Sequence, residues 1–199
     1  MGAAPNEINE KLRQELLSLA EQDRRMRETL AAEGALGEGY HPAMEAIHKR
    51  NAAQLRTIIE QVGWPSSKVV ADDGAEAAWL IAQHAIGEPD FQRYCLQALR
   101  DAASSGGAPL RHVAMLEDRI RMFEGKPQVF GTQLEPDEDG MPRPYFIEDP
   151  DGVEERRRAV GLEPLSARLE REPRMPLPKN RAEFDRKYRE WLIRTGWRK

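Results

Sequence analysis

Apolar residues recur three and four apart through the first 123 positions, the spacing of one face of a helix. Ile8, Leu12, Leu16, Leu19, Met26 and Leu30 form the first stripe, behind Asn6 as a helix cap. The run from Gly34 to Gly39 ends that helix. His41 and Pro42 open a second one, with Met44, Ile47, Leu55, Ile58 and Val62 on a stripe, and Gly63, Trp64 and Pro65 stop it. A third helix begins near Gly74. From Ala77 to Ile86 it is apolar on every side except at Gln83 and His84, which predicts a central helix buried all round. A fourth runs from about Asp90 to Ser104, carrying Phe91, Tyr94, Cys95, Leu96 and Leu99. A fifth, Leu110 to Glu124, has Val113, Leu116, Ile120 and Phe123 as its core stripe.

The texture then changes. Nine of the fourteen prolines lie between Pro127 and Pro178, and regular helix becomes short there. Val129–Leu134 and Tyr145–Ile147 read as short strands joined through the acidic turn Pro136 to Gly140. Short helices are expected at Val153–Val160 and Pro164–Leu169. A last helix, Arg181–Arg194, is capped by Asn180 and carries an aromatic face of Phe184, Tyr188 and Trp191. The fold class expected is mainly α. A five-helix bundle-like core is followed by a short β-hairpin or extended segment, small helices and a C-terminal helix. Residues 1–170 are expected to form a single helical domain, and 171–199 a basic, proline-containing tail ending in a docked helix.

Composition narrows this only slightly. A chain of 199 residues with 40% apolar and 32% charged residues can build a core, and its net charge of −4 gives no whole-molecule signal for nucleic acid or an anionic surface. The single cysteine, Cys95, rules out an internal disulfide, fits a reducing compartment and reads as an inert core thiol. No apolar run approaches the roughly 18 residues of a membrane helix, and Met1–Asn9 has no signal-peptide pattern. A cytoplasmic location without membrane contact is expected. Charge is uneven: Glu135 to Glu155 holds nine acidic residues and one arginine, whereas Arg168 to Lys199 holds eleven basic and five acidic. That asymmetry reads as solvated surface or tail-to-body attraction, since base-stacking aromatics are not interleaved with the basic residues. Nucleic acid is therefore not an expected partner, and no protein partner is indicated.

The chemistry lies where the apolar stripes are broken. Position 23 of the first stripe is Asp23, and position 51 of the second is Asn51. The central helix carries Gln83 and His84, and the fifth helix carries Asp118 between Met115 and Met122. Four helices thus each aim a polar side chain inward. Such groups cost a few kcal/mol unless hydrogen-bonded, so the economical arrangement is for them to meet. Arg27, one turn beyond Asp23, can pair with it. Arg119 projects about 100° away from Asp118 and can serve another contact. His48 lies beside its stripe and is expected to be exposed or at the rim, His41 at a helix start, and His112 in a solvated first turn. The bland reading is a structural network that fixes helix register. P-loop, Gly-x-Gly-x-x-Gly, His-Glu-x-x-His and Gly-x-Ser-x-Gly patterns are absent, as is a Cys–His zinc pattern. His48, His84, Asp23 and Asp118 are metal-ligand types, but their spacing is not diagnostic. No metal and no cofactor are expected.

Several segments resemble an uncharacterised bacterial family, the domain-of-unknown-function family 6624. They are Gly39–Pro42, Gly63–Pro65, Trp79–His84, Leu116–Arg119, Gln128–Gln133, Glu148–Pro150 and Glu155–Leu165. The resemblance runs from about Leu12 to Leu169. Members usually carry Tyr where this chain has Phe130, and Asp-Gln where it has Asp23-Arg24. The resemblance implies one whole domain and singles out Asp23, Arg27, Asn51, Gln83, His84, Asp118, Arg119, Gln128 and Gln133. It supplies no activity.

Two functions follow from these residues. In the first, the chain is an enzyme acting on a small molecule. His84 is general acid or base, oriented by Asp118 or Asp23, and Gln128, Gln133, Asn51, Gln83, Arg27 or Arg119 hold substrate groups. In the second, it is a non-catalytic ligand-binding or protein-interaction module whose polar cluster is structural. A small-molecule ligand is the partner that the polar cluster suits. The two differ in one respect: an enzyme needs His84 accessible with a second titratable group in hydrogen-bond reach.

Overall fold

The computed structural model describes residues 8–35 and 39–199. Those residues form eight helices and one two-stranded antiparallel hairpin, a mainly α architecture. The chain divides into two compact units. The first takes in helix α1 and Tyr40–Pro109, and the second Leu110–Lys199.

The first unit holds α1 (Glu10–Ala32), α2 (Pro42–Val62), α3 (Ser67–His84) and α4 (Pro89–Ser104), with α3 packed against the other three. Helix α1 is capped by Asn9, whose side chain accepts from the Leu12 amide at 3.0 Å; the expected cap Asn6 lies outside the described residues. His41 does cap α2, its Nδ1 accepting from the Ala43 amide at 3.2 Å, and Pro42 fills the first turn where no donor is needed. Helix α3 starts earlier than its apolar run, at Ser67, and breaks at Val70 and Ala71 before resuming. Ala71 sits at φ 57°, ψ 175°, backbone that side chains other than glycine rarely adopt. The turn after this kink brings Gly74 against α1, and a Cβ there would lie 3.3 Å from Cγ of Arg13 and 2.9 Å from Cβ of Val70. Ala77, Ala78, Ile81 and Ala82 are buried beyond it, but Trp79, Leu80 and His84 are half-buried, so α3 packs against the other three helices without being buried all round.

The second unit begins with α5 (Leu110–Phe123). It continues through β1 (Leu134–Pro136), β2 (Pro142–Pro144), α6 (Val153–Ala159), α7 (Leu165–Arg171) and α8 (Arg181–Thr195). The hairpin pairs Leu134 with Pro144 and Pro136 with Pro142, so the strands sit nearer the acidic turn than the sequence pattern predicts. Val129–Gln133 stays out of the ladder because several of its amides are claimed by the Asp118 carboxylate. Gly131, at φ 66°, turns the chain there, and a Cβ on it would meet Ile147 Cδ1 at 2.8 Å.

The C-terminal helix is docked within this unit. Phe184, Tyr188 and Trp191 stack along one face of α8. Trp191 and Trp197 bring their rings within 5.4 and 5.1 Å of Phe123, and Arg198 donates to the Phe123 and Met122 carbonyls at the end of α5. Trp197→Ala is expected to cost about 3 kcal/mol in the second unit, as for a fully buried aromatic, and to expose residues after Arg171 to protease. Urea unfolding with limited proteolysis checks this; a change below about 1 kcal/mol with unaltered cleavage would show that the helix docks without Trp197.

Candidate functional site: an aspartate held by two histidines

Helical phase turns Asp23 inward on α1, where Leu16, Leu19 and Ala20 are also buried; Asp23 is 1% exposed. Two histidines meet it. His84 Nδ1 lies 2.6 Å from Asp23 Oδ2, and His48 Nε2 lies 3.3 Å from Oδ1. The Tyr40 hydroxyl lies 2.6 Å from His48 Nδ1. The two imidazole centroids are 5.3 Å apart. All four residues belong to the first unit.

Hydrogen-bond logic assigns the protons. An ionised carboxylate only accepts, so His84 Nδ1 and His48 Nε2 each carry a hydrogen toward Asp23. With His48 neutral, its Nδ1 accepts from the Tyr40 O–H. Burial pushes the Tyr40 hydroxyl well above the ordinary phenol range, with Glu45, Asp23 and Glu88 adding to it, so it remains a donor. Burial alone would raise the Asp23 carboxyl. Hydrogen bonds from His48 and His84 outweigh it and hold Asp23 well below the usual carboxylate range. Exposure is graded along the chain of contacts: the side chains of Asp23 and His48 are 1% and 9% accessible, whereas that of His84 is 27% accessible. His84 is also the last residue of α3, at the negative end of that helix.

Such an arrangement has two chemical capacities. A carboxylate on Nδ1 fixes the His84 tautomer with its lone pair on Nε2 and stabilises the cation formed when Nε2 takes a proton. The same three residues also offer a carboxylate oxygen and two imidazole nitrogens within 4.8 Å of one another, a two-histidine, one-carboxylate set that could hold a divalent transition metal.

Other residues singled out from sequence are placed differently. Asn51 is buried and donates to the Leu19 carbonyl at 3.0 Å, tethering α2 to α1. Gln83 is buried on α3 beside His84. Arg27 is exposed, and the oxygens of Asp23 go to histidines instead. Asp118 belongs to the second unit and is fully buried. Its oxygens accept from the amides of Val129 at 2.8 Å, Phe130 at 3.1 and 3.2 Å, and Thr132 at 2.9 Å. Burial pushes the Asp118 carboxyl up, against the opposing pull of those amides. Gln128 donates to the Gln133 and Tyr145 carbonyls and accepts from the Gln133 amide, so its side chain is spent on backbone. Arg119 donates to Gln133 Oε1 at 3.0 Å. The sequence-based candidates thus fall into two sets, Asp23 with His84 in one unit and Asp118 with Arg119, Gln128 and Gln133 in the other.

Two expectations are corrected. His48 is 8% exposed, because the buried line on α2 runs Met44, His48, Asn51, Leu55 rather than through Ile47. That 4–3–4 spacing was the available signal. His112 is 6% exposed rather than solvated. Gln92 escaped notice although it shares a spacing with Cys95, Leu96 and Leu99; it is fully buried and donates to the carbonyls of Ala82 and Gln83 at the end of α3. Tyr40 left no periodic trace, since it precedes its helix.

A helical unit built around a carboxylate between two imidazoles, followed by a unit built around an amide-bound carboxylate, is the class of protein these observations define. The chain belongs to DUF6624, a family of unknown function whose model matches residues 10–172. No curated protein and no solved structure matches it. Among the described residues, no helix is long and apolar enough to cross a membrane.

Two outcomes test these placements. Asp118→Asn puts an amide nitrogen against backbone donors and is expected to cost about 2 kcal/mol, read by urea unfolding; a loss under about 0.5 kcal/mol would mean the amides are satisfied otherwise. Burial, with Arg111, lowers His112 from 6.5 to about 4. Its folded value is depressed, so its contribution is fully present above pH 6.5 and drains away as pH falls toward 4, on the order of 3 kcal/mol in all. The His112→Gln variant should show a flatter stability profile across that window, measured by denaturant titration at several pH values.

Proposed function

We propose that the chain is an enzyme that moves a proton on a small molecule through His84, with Asp23 as its positioning carboxylate. The observation that carries this is the 2.6 Å contact between His84 Nδ1 and a buried Asp23, on the one imidazole of the cluster that remains substantially accessible. A histidine serving only to neutralise Asp23 has no need of accessible surface. One serving as acid or base does. His48 occupies the other carboxylate oxygen and is itself held by the Tyr40 hydroxyl, so both position rather than react. Asn51 fixes the spacing of α1 and α2 beneath them.

A second reading has its own observation. The His48–Asp23 contact of 3.3 Å is long for a charge-assisted hydrogen bond, and three ligand atoms lie within 4.8 Å of one another. A divalent metal bound there would make all three residues equal ligands, with no special place for His84.

The experiment pairs wild type with His84→Ala, His48→Ala and Asp23→Asn, purified in parallel after chelation and screened against small esters, lactones, amides and phosphate esters. A substrate should emerge whose turnover falls at least about 100-fold in His84→Ala and about tenfold or more in Asp23→Asn, on the scale of general acid–base catalysis. His48→Ala should lose less than His84→Ala, and chelation should leave turnover intact. Equal losses in both histidine variants, restored in wild type only by added zinc, cobalt or manganese, would replace the proton-transfer reading with the metal one. Absence of any turnover that depends on His84 would overturn both.

A further inference from the structure

The second unit contains a buried cation that forms no ion pair among the described residues; burial lowers its pKa, and Glu154, Glu163 and Asp118 oppose that only from beyond ion-pair distance. Arg157, on α6, is 2% exposed. Its Nε donates to the Glu163 carbonyl at 2.7 Å and its Nη1 to the Phe130 carbonyl at 2.7 Å. Carbonyl oxygens satisfy hydrogens but supply no counter-charge, and taking a guanidinium out of water is expensive without one. No carboxylate of the described residues forms an ion pair with it.

Arg157 lines a cavity of about 190 Å³ together with Arg111, Arg168, Thr132, Glu163 and Met115. Arg111 is exposed and has no ion pair or hydrogen bond among the described residues. The acidic groups nearby are already engaged: Glu163 pairs with Arg171 at 2.5 Å, Glu172 with Arg168 at 2.9 Å, and Glu154 accepts from the Leu165 amide at 3.0 Å. Two guanidiniums, Arg111 and Arg157, therefore face one small cavity without an ion pair to either among the described residues. Their forked donors match the oxygens of a tetrahedral anion. The volume is below the roughly 300–1,000 Å³ of pockets that enclose drug-sized ligands, which limits the occupant to a small group.

We infer that this cavity binds a phosphate dianion, either free or as the phosphoryl end of a small monoester. Two guanidiniums without an ion-pair partner at one cavity favour a doubly charged anion over a carboxylate. This site is independent of the proton-transfer reading in the first unit and does not use its residues.

The test is calorimetric titration of the full chain with inorganic phosphate and with glycerol phosphate, using acetate at matched ionic strength as a control for screening. Thermal unfolding is followed with and without phosphate. Arg157→Gln would lose two backbone tethers and could unfold the unit, so Arg111→Gln, whose side chain has no such duty, is the deciding variant. Saturable phosphate binding that weakens at least tenfold in Arg111→Gln, with the melting temperature of the phosphate-free variant unchanged, supports the site. Tighter binding of glycerol phosphate than of phosphate assigns the monoester as its occupant, and the reverse assigns the free ion. Absence of saturable binding of both anions, equal binding by Arg111→Gln, or equal binding of acetate overturns it.

Discussion

A carboxylate removed from water must be met by donors on every side or it loses its proton-free form, and Asp23 shows how much structure that demand organises. The residue sits in the middle of α1 with almost no exposed surface. Two imidazoles reach it from α2 and from the end of α3, across sequence separations of 25 and 61 residues. Meeting those donors fixes where α2 and α3 lie against α1 more narrowly than leucine packing can, because a hydrogen bond tolerates less displacement than a hydrophobic contact. Asn51 then ties α2 to the α1 backbone at Leu19, close to Asp23 in sequence. The polar seam and the apolar stripe run along the same face of α1.

Asp118 meets the same demand by another route, and the difference in donor decides the chemistry. Its oxygens are taken by backbone amides of the Val129–Thr132 loop, which cannot titrate or move. The result is a rigid turn. Arg156 and Arg157 add donors to the Val129 and Phe130 carbonyls from α6, and Arg119 reaches Gln133. Asp23 is instead held by groups that can themselves exchange protons. A carboxylate bound by amides builds a loop; one bound by imidazoles builds a route for a proton. Two aspartates that look alike on their helices thus belong to different kinds of structure.

Much of this could be read along the chain. The positions of the helices came from apolar spacing, and Asp23, Asn51, His84 and Asp118 stood out because helical phase turned them inward. His48 was harder to place. Ile47 and His48 lie 100° apart on α2, and an apolar stripe is wide enough to admit either, so the isoleucine took the place on hydropathy alone. The amide partners of Asp118 were beyond reach for a simpler reason: every residue but proline carries the same backbone N–H, so no residue type announces which loop will supply it. The burial of Arg157 was equally hidden within a run of three arginines on a short helix, of which Arg158 is exposed and Arg157 buried.

By itself, the amino-acid sequence determined which residues form helices and which polar side chains lie on their inner faces, because periodicity is a local property that neighbouring residues set between them. Tertiary structure decided the partners. Whether Asp23 meets His84, Asp118 or Arg27 depends on how helices cross and which rotamers their contacts permit, and neither is written in the spacing of one helix. His84 therefore acquired its carboxylate, and Arg157 its two carbonyl partners, only when separate segments closed around them.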